Sequence, residues 1–99
     1  MRRQVQAWAV LTAGLTFAHT AFCAEPGQLL AEGCIGCHGP RGTGSGTIPG
    51  IAGRPAPEIA AIMTAFRANE RPGTIMGRIA RGYTEAEIAT VAAYYSTVR

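Results

Sequence analysis

Residues 39–57, GPRGTGSGTIPGIAGRPAP, hold six glycines and four prolines. No helix or strand runs through such a stretch, because each proline removes a backbone donor and each glycine loses more conformational entropy than regular structure returns. In a chain of 99 residues so long a loop is expected to wrap around something rather than simply connect two elements.

The segments on either side follow a helical period. Leu30, Gly33, Cys34 and Cys37 fall at the steps of one helical face, so the two cysteines point the same way. Pro26 suits the first turn of that helix, and Gly36 with Gly39-Pro40 marks its end. Residues 58–69 place Ile59, Ile62, Met63 and Phe66 on one stripe, with Glu58, Arg67 and Glu70 outside it. Arg71-Pro72-Gly73 then forces a turn. Thr84-Glu85-Ala86-Glu87 matches a capping box, after which Ile88, Val91, Ala92 and Tyr95 repeat an apolar stripe towards the C-terminus. Phe66, Tyr94 and Tyr95 read as packing aromatics. No repeat, linker, second domain or strand pattern is seen. The expected fold is all-α: three main helices and one Gly/Pro-rich loop.

The N-terminus reads differently. Met1-Arg2-Arg3 is a positive start, residues 7–18 are apolar or small, and Ala21-Phe22-Cys23-Ala24 supplies small residues for a cut. Residues 1–23 are therefore expected to be a cleaved export signal and residues 24–99 the domain. Phe22 stands where a lipid-attachment signal wants Gly or Ala, which disfavours acylation of Cys23. Arg2-Arg3 is not extended into a twin-arginine signal, so general secretion and a periplasmic home are expected. The apolar run is shorter than the about 20 residues needed to span a bilayer, and no other stretch approaches that length.

After Cys23 the chain carries seven Arg against six Glu and neither Lys nor Asp, so the formal charge of +3 belongs partly to the leader. Nucleic-acid binding loses its main support. A domain of roughly 75 residues gains little net stability from apolar burial alone and ordinarily needs a staple. With Cys23 removed, only Cys34 and Cys37 remain, so a disulfide framework is not expected and a cofactor is the natural staple.

Cys34-Ile35-Gly36-Cys37-His38 specifies that cofactor. The C-x-x-C-H pattern is the attachment signature of c-type haem: two thiols on one helical face form thioethers, and the adjacent imidazole reaches iron. A thioredoxin-like pair wants a preceding strand and a βα pattern that is missing here. A zinc site wants a fourth ligand, and no second pair follows. Once one imidazole nitrogen is on iron, the other needs an acceptor, and a carbonyl of the wrapping loop suits it. Pro49 is the candidate, with Ile51 packing on the haem, although other carbonyls of that loop are available. For the sixth ligand the domain offers Met63 and Met76, since His38 is used and His19 lies in the leader. Met63 lies in an apolar helical stripe, where methionine ordinarily fills core. Met76 lies in the non-periodic Gly73-Thr74-Ile75-Met76-Gly77, where its sulfur can hang over the opposite haem face, and is the expected ligand. Arg54, Arg78 and Arg81 are candidates for neutralising haem propionates or meeting an acidic partner, against the ordinary role of solvated surface charge.

With CIGCHGPRG, IPGIAG and TIMGRIARGYTEAEIATVAAYYS on the page, everything after the leader resembles the class I cytochromes c. More narrowly, the run from Thr74 to Ala80 followed by Gly82-Tyr83 resembles the haem subunits of flavocytochrome c sulfide dehydrogenases and their single-haem relatives. That resemblance implies thioethers at Cys34 and Cys37, axial His38 and Met76, a periplasmic location, and a flavoprotein partner that oxidises sulfide at FAD and passes electrons to the haem. Many such cytochromes carry an aromatic residue one turn before the first haem cysteine, packed on the last helix; here Leu30 holds that place. The expected function is transfer of single electrons. A haem enzyme or gas sensor needs an open sixth site with a polar distal group, and Met76 argues against it.

Overall fold

The computed structural model describes residues 9–16, 18, 21 and 23–99; the charged start Met1–Arg3, Phe22 and His19 of the expected leader lie outside them. Among the described residues four helices follow one another: α1 (Pro26–His38), α2 (Ala56–Arg67), α3 (Met76–Ala80) and α4 (Glu85–Thr97). Among the described residues the only sheet-type pairing is an isolated bridge between Ser45 and Ile48 inside the loop.

α4 organises the rest, with α1 and α2 packed on it and α3 packed on α2. It starts with a complete capping box: the Thr84 hydroxyl accepts from the Glu87 N–H at 3.1 Å, and the Glu87 carboxylate accepts from the Thr84 N–H at 2.9 Å. This satisfies two donors that a helix start otherwise leaves orphaned. Its stripe of Ile88, Val91, Ala92 and Tyr95 is buried throughout and forms the core together with Ala31, Ile59, Met63 and Ala80. Burying an Ile or Val side chain contributes roughly 1.5–3 kcal/mol.

The α1–α4 crossing differs in kind from an aromatic contact at Leu30. Leu30 is half-buried against the core, and the helices come close at buried Gly27. A Cβ there would stand 2.8 Å from the Tyr94 Cβ and 3.3 Å from the Thr90 carbonyl. Tyr83 and Tyr95 complete the junction by donating their hydroxyls to the carbonyls of Leu30 and Ala31, at 3.3 and 3.2 Å.

Two element boundaries correct the sequence reading. α2 begins at Ala56, with a proline in its first turn, two residues before Glu58. Pro57 belongs to the helix because a first-turn proline lacks only a donor that would have no partner anyway. Met76, expected in a loop, is the first residue of the five-residue α3; one turn and a half is too short to reveal a period.

The loop between α1 and α2 is tied at several points. Gly44 N–H donates to the His38 carbonyl at 2.7 Å, Ile51 and Ala52 N–H both donate to the Gly42 carbonyl, and Gly53 N–H donates to the Tyr95 carbonyl at 2.8 Å. Arg41 donates to the Arg99 carbonyl. Gly44 has φ +96°, and a Cβ there would lie 2.8 Å from both the Ile48 oxygen and the Gly50 nitrogen. Only glycine allows the loop to double back so tightly.

Candidate functional site

The apolar stripes of α1 and α2 are only partly covered by protein. Together with the loop and the approach to α3 they enclose a cleft of about 430 Å³. Cys34, Cys37, His38, Pro49, Ile51 and Met76, the residues singled out by sequence, all line it. So do Ile59, Ile62, Met63 and Phe66 of the α2 stripe.

His38 is buried, 8% exposed, and its Nδ1 lies 2.7 Å from the Pro49 carbonyl. A carbonyl only accepts, so Nδ1 carries the proton and Nε2 of the neutral ring keeps its lone pair. The last turn of α1 holds the ring at one end; the tied loop holds it at the other.

Cys34 and Cys37 are free thiols, the first half-buried and the second exposed. Burial pushes the Cys34 thiol above its ordinary range, outweighing the neighbouring hydroxyls of Tyr95 and Tyr83, which favour the thiolate. The same junction raises the Tyr95 and Tyr83 phenols, chiefly by burial and then by the proximity of Cys34. Among the described residues no three His, Cys, Asp or Glu side chains converge as a metal-binding group. This is the opposite of what a closed zinc site of Cys34, Cys37 and His38 requires.

Both methionines of the domain line the cleft. Met63 is 7% exposed and part of the core, so its packing role and its place in the lining coexist; Met76 is half-buried at the start of α3. Of the three arginines considered from sequence, only Arg54 lines the cleft. It donates to the Gly50 carbonyl and pairs with Glu58, both at 3.0 Å, while Arg78 and Arg81 are exposed outside it. Arg71, which sequence reasoning passed over, does line it. Nothing in periodicity marks a residue that a turn carries back over its own helix.

The donor set fits a covalently held haem: paired thiols on one face, an imidazole with Nε2 free, thioether sulfur, and apolar walls. The chain belongs to the cytochrome c family, whose model matches residues 24–99. It is 36% identical over 98 residues to the cytochrome subunit of sulfide dehydrogenase of Chlorobaculum tepidum, covering 90% of this chain and 89% of that protein. It is 39% identical over 69 residues to a thiosulfate dehydrogenase electron acceptor of Stutzerimonas stutzeri, covering 66% of this chain but 32% of that longer protein. Among solved structures, cytochrome c4 of Acidithiobacillus ferrooxidans superposes with a TM-score of 0.64 at 38% identity, over 66% of this chain and 38% of that one. The fold is thus that of the class I cytochromes c, the cofactor is c-type haem, and the protein is an electron carrier, not a catalyst in its own right. Among the described residues no helix is long and apolar enough to cross a membrane.

Proposed function

We propose that this protein is the electron-accepting haem subunit of a periplasmic flavocytochrome c sulfide dehydrogenase. The observation that carries the reading is the likeness to the Chlorobaculum tepidum cytochrome subunit along nearly the whole of both chains; the likeness to the thiosulfate dehydrogenase acceptor stops at a third of that protein. In this reading Cys34 and Cys37 would hold the haem through thioethers and His38 and Met76 would be its iron ligands, residues 1–23 would be the cleaved export signal, and the mature protein would begin at Ala24. Bound haem supplies a one-electron couple, which a thioether ligand biases towards the ferrous form.

The residues of the chain set the conditions for that couple. The Pro49 carbonyl holds His38 in one tautomer and orientation and makes its Nε2 a better donor. The α2 stripe would exclude water from the ring, and Cys34 lies where the hydroxyls of Tyr95 and Tyr83 reach it at the α1–α4 junction. A partner that oxidises sulfide at FAD would deliver electrons singly to this site.

The test is purification of the haem-loaded mature protein from its native periplasm. A stoichiometric FAD-containing subunit with sulfide-dependent reduction of the haem supports the reading. A haem protein that travels alone, or with a thiosulfate-oxidising enzyme, overturns the choice of partner. N-terminal mass spectrometry of the same material tests the leader, and a lipid-modified Cys23 would contradict it.

A further inference from the structure

We infer that Arg71 supplies the counter-charge for one of the two haem carboxylates, standing at the mouth of the cleft with its guanidinium over Phe66. The inference rests on the haem being seated in this cleft as proposed above.

The cleft is apolar, and no acidic side chain lines it; its charged lining consists of Arg54 and Arg71 beside His38. A haem brings two ionised carboxylates, and placing such groups against low-dielectric walls is costly unless cations or donors meet them. Arg54 is already committed to the Gly50 carbonyl and to Glu58. Arg71 is not: the Arg54–Glu58 bridge is the one ion pair among the described residues.

Arg71 is nevertheless held. After α2, Asn69 turns the chain with φ +58°, and the N–H groups of Glu70 and Arg71 both donate to the Ala65 carbonyl, at 2.9 and 3.3 Å. The fold-back carries the guanidinium over the Phe66 ring, 5.3 Å from its centroid, and Phe66 itself lines the cleft. A guanidinium stacked by one face on an aromatic ring keeps its in-plane N–H fork free for a carboxylate. The cation is therefore oriented before any anion arrives, which lessens the entropy lost on pairing. A fixed positive charge here favours the reduced haem, whose net charge is one unit more negative.

The experiment measures midpoint potentials of haem-loaded wild type, R71Q, R71K and R78Q at low and high salt, alongside haem content and the long-wavelength methionine band. R71Q is expected to shift the reduction equilibrium towards ferric severalfold, up to about tenfold, which for one electron is about 59 mV. R71K should recover most of the shift. R78Q, which removes the same charge from an arginine of α3 that does not line the cleft, should move it far less. The R71Q shift should also persist in salt concentrated enough to shorten the Debye length to a few ångströms. An unchanged potential in R71Q, an equal shift in R78Q, loss of the shift in high salt, or lowered thermal stability without any shift would each overturn the role. Failure of the underlying haem-site reading is seen separately, as wild type without covalent haem or without the methionine band.

Discussion

The Tyr95 hydroxyl donates to the Ala31 carbonyl across the α1–α4 crossing at 3.2 Å, and Tyr95, 1% exposed, is the largest fully buried side chain among the described residues. Tyr95→Phe keeps the ring and removes the bond. It should lower stability by about 0.5–1.5 kcal/mol and leave covalent haem attachment intact, as chemical denaturation of the haem-loaded protein with its absorption spectrum will test. Loss of haem in this variant would mean that the hydroxyl positions Cys34 instead of merely joining two helices.

Gly27 gives a sharper test of the same crossing. Alanine is the better helix former by up to about 1 kcal/mol, so an exposed Gly→Ala change in α1 would stabilise. At Gly27 the new methyl meets the Tyr94 Cβ and the Thr90 carbonyl, neither of which can yield without moving backbone. Overpacking of this kind costs about 1–3 kcal/mol and should win. A rise in the melting temperature of Gly27→Ala would show that the helices separate easily.

Met76→Ala should abolish the long-wavelength ferric band of methionine ligation, lower the potential and admit carbon monoxide to the ferrous protein. Met63→Leu conserves volume, should cost less than about 1.5 kcal/mol and should leave the spectrum unchanged. Because both methionines line the cleft, the pair of variants separates coordination from packing. The assignment fails if the band survives Met76→Ala and disappears in Met63→Leu.

The Thr84 N–H and hydroxyl hold the Glu87 carboxyl below the ordinary carboxylate range. A pKa lowered on folding contributes stability that is fully present above the unfolded-state value of about 4.3 and is lost as pH falls through the folded value. The melting temperature should therefore decline on acidification below that value, and Glu87→Gln should flatten the decline. Thr84→Ala should cost about 1 kcal/mol at neutral pH. An identical acid profile in Glu87→Gln would assign the pH dependence to other carboxyl groups.

The parts of this molecule written in local sequence were legible. The box at Thr84–Glu87, the stripes of α2 and α4 and the shared face of Cys34 and Cys37 each depend on residues within two turns of one another. The parts that depend on distant approach were not. Gly27 looks like any helix-start glycine until Tyr94 arrives opposite it. Prolines around Ala56 read as loop because their abundance hid the one that suits a first helical turn. Arg71 belongs to no period, and its reach over Phe66 is set by a left-handed residue at Asn69.

The loop that presents the Pro49 carbonyl is anchored to the end of α1 through Gly44 and to the end of α4 through Gly53. Such anchoring leaves the imidazole side of the cleft little freedom to rearrange when the charge on the metal changes. With haem bound as proposed, rearrangement on electron exchange would then fall mainly on solvent and on the side of the cleft that α3 borders. With haem held as proposed, His38 would already stand where either oxidation state needs it, which would favour fast exchange of single electrons.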